Sequence, residues 1–249
     1  MKIGLIGSGN MARALARGWG RPLVCSDPIA QRAQALADEV GGRALASNAE
    51  VAQAADLVVL CHKPAQLGDV AAEIGTHTDA VASILAATPL PDLKSAYPGK
   101  PVYRFIPSLP VEVRQGAVVQ AAGPPQDPDT DAEVAELFAE LGTLVTLEDR
   151  LVDVAMGLMS CAPAYVALVA EAQIDAGTRR GIPSAQGAEL VVQTLAGTAE
   201  LLRRRGYDTL AVRREVASPG GLTARGLDAL ERGGVRAAFS DALDAVLAK

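Results

Sequence analysis

Over its first 145 or so residues this chain alternates short apolar runs with segments whose apolar positions recur every three or four residues. Strands are predicted at 2–6, 23–26, 56–62, 80–86, 102–106, 117–121 and 143–147. Helices are predicted at 11–19, 30–40, 49–54, 65–74 and 130–141. Such alternation builds βαβ units and a mostly parallel, doubly wound sheet. Gly123-Pro124-Pro125-Gln126-Asp127-Pro128-Asp129 reads as a surface loop. After Glu148 no strand-like run follows, and helical patterns take over at 149–161, 163–180, 184–205, 208–216 and 223–247. The expected layout is α/β over residues 1–148 followed by an all-helical domain over 149–249.

Two glycine turns carry the candidate chemistry. The first strand runs into Gly7-Ser8-Gly9-Asn10-Met11-Ala12, a Gly-x-Gly-x-x-Ala turn that opens a helix. In a dinucleotide fold the first glycine makes the tight turn, the second lets the backbone reach a pyrophosphate, and the third small residue packs helix on strand. The next apolar run, Leu23-Val24-Cys25, ends at Ser26-Asp27, where an acidic residue meets the adenosine ribose. Asp27 also reads as an N-cap for the helix that follows. Strand, glycines, helix, strand and acid together predict a Rossmann-type nucleotide domain. The second turn is Ser218-Pro219-Gly220-Gly221-Leu222-Thr223, again at the mouth of a helix. Its free N–H groups and positive dipole end suit a carboxylate or phosphate, and Thr223 adds a hydroxyl. A plain helix cap is the alternative reading.

Composition narrows the classes. The 249 residues fit one large domain or two, and a net charge of -6 with eight Phe, Trp and Tyr residues offers nothing to nucleic acid. Cys25, Cys61 and Cys161 contain no CxxC and are odd in number, which fits a reducing, cytoplasmic compartment. His62 and His77 cluster with no other ligand types, so no metal site is expected. The chain enters its first strand at Lys2, so no signal peptide is expected. Residues 151–170 are almost wholly apolar and long enough to span a membrane, but include Asp153 and Pro163. They read as a helix buried in a multi-helix or dimer core, with no membrane involved.

The chain resembles the pyrroline-5-carboxylate reductase family along essentially its whole length. The ordered motifs that carry the resemblance begin with Gly7-Ser8-Gly9-Asn10-Met11-Ala12, Lys63-Pro64 at a strand end, and Arg104-Phe105-Ile106-Pro107-Ser108-Leu109-Pro110. They continue through Gly157-Leu158, Ala162-Pro163-Ala164-Tyr165, Asp175-Ala176-Gly177 and Gly181-Ile182-Pro183 to Ser218-Pro219-Gly220-Gly221-Leu222-Thr223 and Gly234-Val235-Arg236-Ala237-Ala238. The resemblance implies an NADPH- or NADH-dependent reduction of the cyclic imine 1-pyrroline-5-carboxylate to L-proline. By the same resemblance, Ile6, Gly7, Ser8, Gly9, Asn10 and Met11 cradle the cofactor pyrophosphate. Asp27 and Asn48 approach its adenosine half, and Cys61, His62, Lys63 and Pro64 line the nicotinamide ribose. Gly220, Gly221 and Leu222 offer amides to the substrate carboxylate, and Thr223 hydrogen-bonds the ring nitrogen as the catalytic group. The apolar runs of the helical half, at 151–170, Leu190-Val191-Val192 and Leu195, predict a homodimer, and the resemblance implies its further assembly into a decamer.

Departures from the family pattern leave alternatives open. Ile106-Pro107-Ser108-Leu109-Pro110 stands for Met-Pro-Asn-Thr-Pro, Met159-Ser160-Cys161-Ala162 for Ser-Gly-Ser-Gly, and Leu85-Ala86-Ala87 for Ala-Ala-Gly. A reductase of a different cyclic imine and a non-catalytic NAD(P)H-binding oligomer both fit such loops. The choice between NADH and NADPH also stays open. Asp27 favours a free ribose hydroxyl, while Arg32 lies close enough in sequence to meet a 2′-phosphate. Cys161, with no neighbouring base or cation in sequence, reads as a small apolar residue.

Overall fold

The computed structural model describes residues 1–248, which form two compact units, Met1–Pro163 and the chain from Ala164 onward. In the first unit eight strands make one sheet of order β3-β2-β1-β4-β5-β6-β7-β8. They are β1 (Ile3–Ile6), β2 (Val24–Ser26), β3 (Arg43–Ala44), β4 (Leu57–Leu60), β5 (Ala80–Ser83), β6 (Val102–Pro107), β7 (Gly116–Ala122) and β8 (Gly142–Glu148). β1 to β6 pair in parallel; β7 runs antiparallel to β6 and parallel to β8.

Helices cover both faces of this sheet, so neither side of a central strand meets water. Leu57 and Val59 enter one core, while Val58 and Leu60 enter the other. That is why β1, β4 and β5 read as unbroken apolar runs rather than alternating ones. On the first face α1 (Asn10–Trp19) packs its Leu15 and Trp19 against Phe138 of α6 (Pro128–Ala139). Trp19 lies edge-on to Phe138, Phe138 stacks on Phe105, and the Trp19 indole N–H donates to the Leu137 carbonyl at 2.9 Å. The other layer contains α3 (Asn48–Ala54), α4 (Leu67–Ile74) and α5 (Leu90–Ala96).

The compact unit extends past the change of pattern at residue 148, because α7 (Asp149–Met159) is anchored to the sheet. Arg104 of β6, 1% exposed, holds Asp149 at 2.7 Å and Asp153 at 2.5 Å. Asp149 also accepts from the Leu90 N–H, so the same carboxylate ties α5 to α7.

The second unit is helical throughout: α8 (Ala162–Thr178), which begins at the boundary, α9 (Ser184–Arg204), α10 (Thr209–Val216), α11 (Leu222–Arg232) and α12 (Val235–Leu247). The single helix expected over 223–247 is two. Gly233 and Gly234 interrupt it, and Gly234 at φ +77° takes a left-handed conformation that ordinary side chains disfavour. Val212 alone among this unit's described apolar side chains is buried. The stretch Asp149–Thr178 is long and apolar enough to cross a membrane by length and composition, yet only 17% of its most apolar window is buried in the single chain.

Candidate active site

The carboxyl ends of β1, β2, β4, β5 and β6 open on two adjoining clefts. They flank the place where the chain, having wound outward through β2 and β3, returns to the centre at β4, which is where ligands bind in open α/β sheets. The larger cleft, about 390 Å³, is lined by Ile6, Gly7, Gly9, Asp27, Asn48 and Cys61-His62-Lys63, with Ile29, Arg32 and Gln66 at its rim. The second, about 270 Å³, shares Cys61, His62 and Lys63 and adds Met11, Pro64, Ile84, Leu85, Ile106, Pro107, Met156 and Ser160.

The glycine turn is built to let a ligand close to the backbone. Gly7 sits at φ +97°, and a Cβ there would lie 2.8 Å from the Cys61 carbonyl oxygen. Gly7 N–H bonds the Ser26 carbonyl at 2.9 Å and Cys61 N–H bonds that of Ile6 at 2.8 Å, so the ends of β1, β2 and β4 are knitted together. Above Gly9 there is open space within 4 Å, and no side chain caps α1. The first-turn amides of α1 thus lack an internal partner beside the cleft, the arrangement that receives a phosphate.

Asp27 is held from two sides: its Oδ2 accepts from Ser8 N–H at 2.8 Å and its Oδ1 from Ile29 N–H at 2.9 Å. The cap reading of Asp27 is corrected, since α2 (Ala30–Val40) has Ile29 as its N-cap and the carboxylate instead faces the glycine turn. Asn48, which opens α3, accepts from the Ser26 hydroxyl at 2.7 Å and donates through Nδ2 to Glu73 at 2.6 Å. His62 bonds the Lys63 carbonyl through Nδ1 at 2.9 Å; a carbonyl only accepts, so Nδ1 carries the proton. Burial pushes the imidazole below its ordinary value, with the Lys63 hydrogen bond opposing. Nε2 is buried with no hydrogen-bond partner among the described residues. Burial pushes the Cys61 thiol up, so this cysteine is inert packing.

In the second cleft the wall is mainly apolar. The Ser160 hydroxyl donates to the Pro107 carbonyl at 3.0 Å, and both residues line the cleft. Ala87, just past Leu85 and Ala86, takes φ +51°, a left-handed conformation unfavourable for alanine. Glycine, which the family pattern has at this point, adopts it freely.

In the second unit, Gly220 has φ +70° and Gly221 is the extended N-cap of α11. Leu222 and Thr223 are its first two residues and are exposed. Thr223 lies two positions past the N-cap of α11, and no side chain caps that helix. The cleft in the first unit gathers Ile6, Gly7, Gly9, Met11, Asp27, Asn48 and Cys61 to Pro64. Ser8 is buried behind the turn, and Asn10 is exposed at the start of α1. Glu73, Arg32, Gln66, Met156 and Ser160 complete these surroundings. Of these, Arg32 had a signal in sequence, its closeness to Asp27, and Ser160 had one in the departure Met159-Ser160-Cys161-Ala162.

Residues 149–249 match the family model described as pyrroline-5-carboxylate reductase dimerisation, and residues 2–87 match one described as NADP oxidoreductase, coenzyme F420-dependent. The chain is 32% identical to the pyrroline-5-carboxylate reductase of Synechocystis over 98% of its own length and 95% of the relative's. The chain belongs to the pyrroline-5-carboxylate reductase family. Solved structures of the family agree. The Streptococcus pyogenes enzyme superposes with a TM-score of 0.89 at 28% identity, covering 99% of this chain and 96% of that one. The Plasmodium falciparum enzyme, solved with NADP bound, gives 0.88 at 25% identity, covering 99% and 95%. The larger cleft is lined wholly from residues 2–87, the segment matched as NADP oxidoreductase, and α7 to α12 lie in the segment matched as the dimerisation region.

Proposed function

We propose that this protein reduces 1-pyrroline-5-carboxylate to L-proline with NAD(P)H, in the cytoplasm and as a homodimer. The observation that carries the reading is the glycine turn: Gly7 pressed against the β4 end, open space over Gly9, and an uncapped α1 beside the cleft. Gly7, Ser8, Gly9, Asn10 and Met11 hold the cofactor's pyrophosphate, with Ile6 beneath; Asp27 and Asn48 take its adenosine half, and Cys61, His62, Lys63 and Pro64 the nicotinamide ribose. When bound, the cofactor supplies the hydride. At the start of α11, Gly220, Gly221 and Leu222 take the substrate carboxylate, the Gly221 N–H leaving the Ser218 carbonyl it meets at 3.0 Å, and Thr223 hydrogen-bonds the imine nitrogen. Residues 1–148 act as the nucleotide domain and 149–249 as the substrate and dimerisation domain. The exposed apolar surface of α8 is subunit contact rather than membrane span, and the dimers assemble into a decamer. With a net charge of -6, nucleic acid is no partner.

A second reading, a different cyclic imine in the same site, is favoured by the apolar second cleft and by Leu109, 46% exposed where the family has a hydroxyl. Steady-state rates with pyrroline-5-carboxylate, with its six-membered-ring homologue and with a non-carboxylated imine separate the two. A clear preference for either of the others ends the proline reading. Thr223→Ala is expected to lower kcat/KM roughly a hundredfold, as loss of a hydrogen bond that strengthens in the transition state does. Its melting temperature should hold, because Thr223 caps nothing; a normal rate in that variant removes Thr223 from the chemistry.

A further inference from the structure

We propose that the dinucleotide cleft selects NADH over NADPH, because Asp27 fixes one carboxylate in its lining and Glu73, bonded to Asn48 of that lining, sets a second beside it. The inference rests on reading this cleft as the NAD(P)H site and goes further by naming which dinucleotide it takes.

Asp27 ends β2, the position from which an acidic side chain reaches the adenosine ribose. It cannot swing aside to admit a phosphate. Oδ2 is held by the Ser8 N–H at 2.8 Å, within the glycine turn itself, and Oδ1 by the Ile29 N–H at 2.9 Å. Each carboxylate oxygen keeps a further lone pair, enough to accept from a ribose hydroxyl. The same oxygens repel a phosphate dianion.

The neighbouring donors are already used. Asn48 lines the cleft, and its backbone N–H and that of Ala49 donate to Glu73 Oε1 at 3.1 and 3.3 Å. The Asn48 side-chain amide donates to Glu73 Oε2 at 2.6 Å, and its carbonyl oxygen is taken by the Ser26 hydroxyl at 2.7 Å. The start of α3 is therefore neutralised by the chain's own carboxylate, reaching across from α4. A phosphate placed there would have to displace Glu73 or sit beside it.

The opposing cation is Arg32. It lines the cleft rim, is exposed, and makes no ion pair among the described residues. A long, solvated side chain of this kind pays conformational entropy to hold one geometry, and its attraction is screened. Asp27, anchored through both oxygens in the cleft lining, with Glu73 anchored on Asn48 beside it, outweighs this mobile cation.

The test is direct binding to the full chain, following the fluorescence of the reduced nicotinamide on titration with NADH and with NADPH. NADH is expected to bind about tenfold more tightly or better, a difference of about 1.4 kcal/mol. Asp27→Ser and Glu73→Gln should each narrow the ratio by strengthening NADPH, and Arg32→Ala should leave it nearly unchanged. Equal or tighter binding of NADPH by the unaltered protein overturns the selectivity while leaving the dinucleotide site standing. A selective loss of NADPH affinity in Arg32→Ala also overturns it, since the guanidinium would then be reading the 2′-phosphate. If neither dinucleotide binds at millimolar concentration, the dinucleotide reading itself fails. Glu73→Gln preserves side-chain size, so it keeps the test available if Asp27→Ser does not fold.

Discussion

The two units of this chain solve opposite problems. In Met1–Pro163 the strands β1, β4, β5 and β6 are buried along their whole length, and two apolar cores fill both faces of the sheet. From Ala164 onward, Leu168, Leu190, Val192, Val216, Leu222 and Leu230 are each more than half exposed, and Val212 is the lone buried apolar side chain described. One unit carries its own core; the other carries apolar faces with too little of its own surface to cover them. Open apolar surface of this extent marks an interaction face, and it falls in the segment, residues 149–249, matched as the dimerisation region. The glycine turn, by contrast, sits on a scaffold that needs no partner to hold its shape.

The sharpest way to break this contrast is to place the same charge on each unit. Leu190→Asp, 61% exposed in the single chain, should abolish dimers in light scattering and with them most activity, because an interface buries that carboxylate without a partner. Val113→Asp, 67% exposed in the first unit, should alter neither mass nor melting by more than about 0.5 kcal/mol. Equal behaviour of the two variants would end the distinction. A smaller effect tests whether the first unit depends on its internal anchor. Arg104→Leu strands Asp149 and Asp153, and since both acids are partly exposed the expected loss is about 2–3 kcal/mol rather than the full cost of a buried orphan charge. Chemical denaturation followed by circular dichroism reads it, and an unchanged midpoint would mean α7 is held by packing alone. The smallest effect has the opposite sign. Ala87→Gly relieves the left-handed alanine at φ +51° and should stabilise the first unit by about 1 kcal/mol, less the extra freedom glycine has when unfolded.

Much of the first unit was legible because its signals are local. A strand, a Gly-x-Gly-x-x-Ala turn and an amphipathic run within twenty residues place β1 and α1 almost to the residue, and the run 30–40 coincides with α2. What escaped was either too short or set by distant partners. β3 is the two residues Arg43–Ala44, visible only because β2 lies beside it. α5 begins among Pro89 and Pro91, where no helix was predicted, although proline is well suited to a helix's first turn. The pattern over 223–247 ran through Gly233-Gly234 because its apolar spacing continues across the break. At the site, the glycines and Asp27 were legible from position in the βα unit, and Asn48 only through the family resemblance. Glu73 was not: it meets Asn48 from a separate helix, and nothing in the spacing of the two residues foretells it.

The buried indole of Trp19 has a practical consequence. It is the chain's single tryptophan, wedged between α1 and α6 of the first unit. Its emission therefore watches one unit alone, while far-ultraviolet ellipticity sums the helices of both. In a denaturation followed by both signals, the part of the ellipticity change that the fluorescence does not share belongs to the second unit, and diluting the protein should shift that part first.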